Sequence, residues 1–128
     1  MKRIVRHATS DFIEYVKEQL ASIHKLTSTR FFGGVALALN GTQFGMIMDD
    51  VLYFVVDDST RPNYEKLGSH CFSYATKNRQ VKVNRYFEVP AQAIENQDEL
   101  LALATESLAV ARNSRGAKAK RALHSGNT

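Results

Sequence analysis

The chain has 128 residues, 44% hydrophobic and 23% charged, which fits one globular domain with a hydrophobic core of its own. Its net charge of +4 is uneven: Lys2, Arg3, Arg6, Arg112, Arg115, Lys118, Lys120 and Arg121 carry the ends, and residues 7–111 hold all 13 acids and a net −4. No apolar run is long enough to span a bilayer, the basic N-terminus has no apolar stretch of a secretory signal behind it, and the body lacks the basic surplus of a folded nucleic-acid reader.

In chain order, residues 1–9 read as a basic arm. Ser10 and Asp11 supply helix-capping groups, and Phe12, Ile13, Val16, Leu20 and Ile23 recur at helical spacing, which predicts a first helix over residues 10–24. Residues 25–30 are polar and rich in Thr and Ser, either a connection or a short edge strand. Phe31-Phe32-Gly33-Gly34 then enters a sheet. Its paired glycines suggest a bend, a bulge or a close backbone approach, at a corner where the first helix crosses the sheet or beside a ligand.

Three β-prone runs follow. Val35–Leu39 and Gln43–Met48 are joined by Asn40-Gly41, a strong two-residue hairpin signal. Alternation groups Phe44, Met46 and Met48 on one face of the second run. Asp49-Asp50 makes the next turn, and Val51–Val56 is apolar on both faces, so it calls for a cover on each side, the second of which is either this chain or another subunit. Asp57 to Thr60 caps a short helix over residues 61–67 that stops at Gly68.

A second hairpin pairs Cys71–Thr76 with a strand in which Val81, Val83, Arg85 and Phe87 alternate with Lys82, Asn84, Tyr86 and Glu88. Pro90 ends it, and Ala91–Glu95 has room for a short helix. Asn96 with Glu99 forms a capping box for a last helix whose stripe is Leu100, Leu101, Ala104, Leu108 and Ala111, ending near Arg112. Residues 113–128 read as a disordered basic tail. The predicted fold is therefore α+β in two layers, an antiparallel sheet of about five strands with helices packed on it, in the order α-β-β-β-α-β-β-α.

Arg30-Phe31-Phe32-Gly33-Gly34, the Asn40-Gly41 turn with Phe44-Gly45-Met46-Ile47 behind it, Leu52-Tyr53-Phe54-Val55-Val56-Asp57, Phe72-Ser73-Tyr74 and Tyr86-Phe87-Glu88-Val89-Pro90 occur in that order. Together they resemble the N-terminal domain of the TfoX/Sxy family of bacterial competence regulators, over residues 10–112. Longer family members continue into a second domain, so this chain is expected to be a stand-alone form. The resemblance implies a cytoplasmic, non-enzymatic role in transcriptional regulation through contact with another protein.

His7, His24, His70 and Cys71 lack metal-ligand spacing, and His70 and Cys71, adjacent on a strand, point to opposite faces. The single cysteine leaves no internal disulfide and fits a reducing compartment. No nucleophile elbow is present, Gly33-Gly34 precedes a strand and so lacks the donor nest of a phosphate loop, and Asp49-Asp50 and Asp57-Asp58 sit where turns and caps use Asp. Catalytic, cofactor and metal residues are therefore not expected. Arg30, Phe31, Phe32, Gly33 and Gly34 are the candidate protein-contact residues, a cation and two aromatics beside a glycine pair. Expected partners are another, transcription-related protein and a second copy of the chain. The alternative is a phosphate grip on nucleic acid by Arg112, Arg115, Lys118, Lys120 and Arg121.

Overall fold

The computed structural model of the protein describes residues 10–126, with side chains described for residues 11–114. The basic arm predicted at residues 1–9 lies outside the described residues. The elements are α1 (Ser10–Gln19), β1 (Leu26–Phe31), β2 (Gly34–Leu39), β3 (Thr42–Met48), β4 (Val51–Val55), α2 (Arg61–Lys66), β5 (Cys71–Ala75), β6 (Gln80–Glu88), α3 (Ala91–Glu95) and α4 (Gln97–Gly126). The strands form one antiparallel six-stranded sheet in the order β1-β2-β3-β4-β6-β5. The α+β class holds, and the element order matches the predicted one apart from two insertions, β1 ahead of the first predicted strand and the short helix α3 ahead of the last helix. The additional strand is β1, the Thr- and Ser-rich stretch left open between connection and edge strand, whose β-branched residues suit a half-solvated edge.

Three two-residue turns set the register of β1 to β4. Phe32-Gly33, Asn40-Gly41 and Asp49-Asp50 each take positive φ at both positions, as a type I′ hairpin requires. Phe31 thus pairs with Gly34, Leu39 with Thr42 and Met48 with Val51. The glycine pair is therefore a hairpin tip and not a corner under α1. Gly33 supplies the turn, and Gly34 supplies a close approach, since a Cβ there would run into Met48 Sδ and the Ile47 carbonyl.

Two irregularities redirect side chains. At the register shift opposite Leu37 and Ala38, Phe44 is the extra residue of β3. Phe44 and Ile47 are fully buried in the core, while Met46 and Met48 line a groove on the other side of the sheet, so the alternation predicted for β3 breaks at the bulge. In the last hairpin Cys71 pairs with Phe87 but Phe72 pairs with Val83, which leaves residues 84–86 without partners on β5. Phe87 consequently faces the core, and Val81 and Val83 pair with the opposite side through Tyr74 and Phe72.

One sheet face carries the helices. α4 lies across β3 and β4 and touches α1 and α3. The core joins Val16 of α1 and Leu20 just past its end, Leu37, Ile47, Leu52 and Phe54 of the sheet, Tyr64 of α2 and Leu100 of α4. α1 is shorter than the periodicity predicts. It stops at Gln19, whose carbonyl accepts a 3.2 Å hydrogen bond from Gln97 Nε2 and whose own Nε2 donates to the Ile94 carbonyl at 2.8 Å. These bonds tie the helix end to the α3–α4 junction, and Lys25, at positive φ, turns the chain into β1.

Asp57 organises the entry to α2: its carboxylate accepts from the Ser59 and Thr60 amides at 2.9 and 3.0 Å, and Thr60 Oγ1 accepts from the Asp57 amide at 3.0 Å. Asn96 caps α4 as the sequence predicts, its Oδ1 accepting from the Glu99 amide at 3.1 Å. α4 buries Leu100, Ala104, Ser107 and Ala111 at helical spacing. Its backbone runs through Gly126 and does not end near residue 112, because the Ala, Lys and Arg of the stretch read as a disordered tail are strong helix formers.

Candidate functional site

The face without helices is built by the residues that alternate away from the core. Phe31 of β1, Phe32 of the first turn, Met46 and Met48 of β3, and Phe72 and Tyr74 of β5 line one apolar groove of about 440 Å³. β1 and β5 are the two opposite edges of the sheet. In a flat sheet they would lie about 24 Å apart, at ~4.8 Å per strand. Their sharing one groove means that the sheet curls and the open face is concave, as bulges and right-handed twist produce.

The walls of the groove are aromatic contacts. Phe31 and Phe32 meet edge to face with centroids 5.6 Å apart, Tyr53 and Phe72 do so at 5.2 Å, and Phe72 leans on Tyr74 at 6.1 Å. Phe32 is 91% exposed and Tyr74 48% exposed. A phenylalanine at positive φ on a hairpin tip, with its ring in water, is unfavourable for the isolated domain both in backbone conformation and in hydration.

Next to the groove the same face closes on itself. Gln43 Nε2 donates to Tyr86 Oη at 3.1 Å. Gln43 is on β3 and Tyr86 on β6, so this bond crosses β4, whose Val55 pairs with Tyr86 and is 1% exposed. The second cover predicted for β4 is thus supplied by this chain at Val55 and left open toward Met46 and Met48. Burial pushes the Tyr86 phenol up, with Arg85 and the Gln43 bond pulling the other way. Burial also pushes the Tyr53 phenol up, assisted by the nearby Glu88 and Asp49 carboxylates.

The candidate cluster Arg30 to Gly34 does not stay together. Phe31 and Phe32 enter the groove, but Arg30 pairs with Val35 on the helix side and lines a separate cleft of about 200 Å³ with Glu14, Lys17 and Ser28. Gly33 and Gly34 serve the turn and the backbone approach. Sequence reasoning does not bring Met46, Met48, Phe72 and Tyr74 to these phenylalanines. The available signal is the alternation of Met46 with Met48 and of Phe72 with Tyr74. What is not visible in the sequence is the strand order that curls β5 toward β1.

Of the basic alternative, Arg112 is exposed on α4, and Arg85 Nη1 donates to Ser114 Oγ at 3.1 Å. The side chains of Arg115, Lys118, Lys120 and Arg121 lie outside the described ones. Among the described residues no three of His, Cys, Asp and Glu converge as metal ligands, and no helix is long and apolar enough to cross a membrane. The groove offers apolar, polarisable surface, suited to holding apolar side chains.

Compared with known families, residues 18–111 match the model of the TfoX N-terminal domain, a stretch that contains the whole sheet and reaches from α1 into α4. A comparison with curated proteins finds no match.

Proposed function

Because this chain belongs to the TfoX N-terminal domain family, we propose that it is a non-enzymatic, cytoplasmic regulatory domain that acts on transcription through a protein contact made by the open face of its sheet. The observation that carries this reading is the exposure of Phe32 at the mouth of a groove made of aromatic and methionine side chains. Aromatics and methionine are enriched at protein interfaces, and large buried anchors there supply most of the binding energy. Contiguous exposed apolar surface of this kind marks interaction sites on soluble domains.

The test is a transcript profile from cells lacking the chain, complemented with the natural protein, with Phe32→Asp, with Tyr74→Asp, or with Arg115, Lys118, Lys120 and Arg121 all changed to Gln. Loss of regulation in the two groove variants, with the tail variant active, supports contact through the sheet. Regulation that survives both groove changes and is lost with the tail charges overturns it in favour of a phosphate grip by the tail.

A further inference from the structure

We infer that the occupant of the groove is a second copy of this chain, packed sheet face to sheet face with the strands of the two copies antiparallel. The inference rests on the reading of the open face as a contact surface and adds who makes the contact. It comes from how charge is laid out around that face. Taking alternate positions from the register, the open face presents Thr27, Thr29 and Phe31 from β1, Ala36 and Ala38 from β2, and only Glu88 as a charge from the strands around the groove.

At the Glu88 end of the sheet lies the Asp49 turn, and both carboxylates act on Tyr53. The opposite end is the tip of the β5–β6 hairpin, where the turn between Ala75 and Gln80 carries exposed Lys77 and Arg79. The nine residues of β6 separate the two ends, about 30 Å at ~3.3 Å per residue. Among the described residues none of these four charges is in an ion pair.

A surface with an acidic end, an apolar hollow and a basic end is complementary to itself under a two-fold axis that runs across the strands. That axis lays Asp49 and Glu88 of one copy toward Lys77 and Arg79 of the other. An axis along the strands would instead set acid on acid. Self-complementarity of one patch is the condition for an isologous dimer, the commonest closed assembly. The hollow has room, at about 440 Å³, for a large side chain from the facing copy. Phe32, projecting from the rim of each copy, is the side chain placed to enter it. The energetics divide accordingly: the apolar centre gives affinity, and the charged ends fix direction.

The full chain in sedimentation velocity across a concentration series tests this, with circular dichroism to confirm that each variant folds. The natural protein is expected to show a monomer–dimer equilibrium that weakens with salt. Phe32→Asp is expected to raise the dissociation constant at least about tenfold. Asp49→Lys with Glu88→Lys weakens the dimer, as does Lys77→Glu with Arg79→Glu, and combining the two pairs restores it.

A chain that stays monomeric at every concentration overturns the second copy. So does a dimer indifferent to Phe32→Asp, or a combined reversal no better than either alone. If the chain is monomeric yet Phe32→Asp abolishes regulation, the second copy is excluded and the contact surface stands. If it dimerises as described and regulation ignores Phe32, the dimer stands and regulation lies elsewhere.

Discussion

Arg30 and Phe31 are adjacent in the chain and project from opposite faces of β1, Arg30 into the cleft beside α1 and Phe31 into the groove with Met46 and Met48. Period-two alternation demands this separation, and it divides the motif's work between two surfaces. Arg30→Ala is therefore expected to leave regulation intact, and Phe31→Ala to diminish it, with both proteins melting cooperatively. Parallel reporter and thermal-melt measurements on the two variants check this. Equal loss of regulation from both would mean that the helix side of β1 takes part in the contact.

The two glycines of the motif fail for different reasons when substituted. At Gly33 nothing lies within 4 Å of an added Cβ, so alanine meets only the positive φ, a cost of about 1–2 kcal/mol. At Gly34 an added Cβ strikes Met48 Sδ and the Ile47 carbonyl. The sulfur can swing away but the backbone cannot, so Gly34→Ala is expected to cost at least about 2 kcal/mol and to disturb the groove through Met48. Urea denaturation of the two variants should rank Gly34→Ala below Gly33→Ala.

Tyr64 and Ser107 are 1% and 0% exposed, and neither hydroxyl reaches a partner in hydrogen-bonding geometry. They lie near enough that the Ser107 hydroxyl partly offsets the burial that pushes the Tyr64 phenol up. Removing both hydroxyls together eliminates two buried polar atoms and leaves none stranded. Tyr64→Phe with Ser107→Ala is expected to be neutral or to stabilise by up to about 1 kcal/mol, whereas Ser107→Ala alone should do no better than the pair. A double variant melting well below the natural protein would show that the hydroxyls are satisfied by each other or by water.

Asp57 is held below the usual carboxylate range chiefly by the Ser59 hydroxyl at 2.7 Å, against the upward push of burial, with the Thr60 and Ser59 amides adding to the lowering. A depressed folded value means that the carboxylate stabilises the fold above its unfolded pKa, about 3.9, and loses that contribution as pH falls through the folded value. Asp57→Ala should cost about 1 kcal/mol at pH 7 through the lost hydrogen bonds to the Ser59 and Thr60 amides. The gap in melting temperature between it and the natural protein should narrow below about pH 4. A gap that stays constant to pH 3 would show that the carboxylate charge is irrelevant to the turn.

The parts of the fold legible in the sequence are those fixed by local chemistry. Asn40-Gly41 announces its hairpin, Asn96 with Glu99 its helix, and the core stripe of α4 its spacing. The Phe32-Gly33 turn is hidden because Phe is a poor left-handed residue, so register pairing and not local preference decides it. The groove is less legible still. It depends on two bulges that reverse side-chain direction at Phe44 and before Phe87, and on a strand order that brings β5 round toward β1. Each is a consequence of tertiary pairing, and no window of sequence contains it.

The most direct test of the open face as a contact surface is photo-crosslinking in the source cells, with a benzoyl-phenylalanine in place of Phe32 or Tyr74 in the groove and, as controls, in place of Lys17 or Arg30 on the helix side. Protein adducts are predicted from the two groove positions and not from the two controls. Adducts confined to the helix side, or none from the groove at natural expression, would contradict the account.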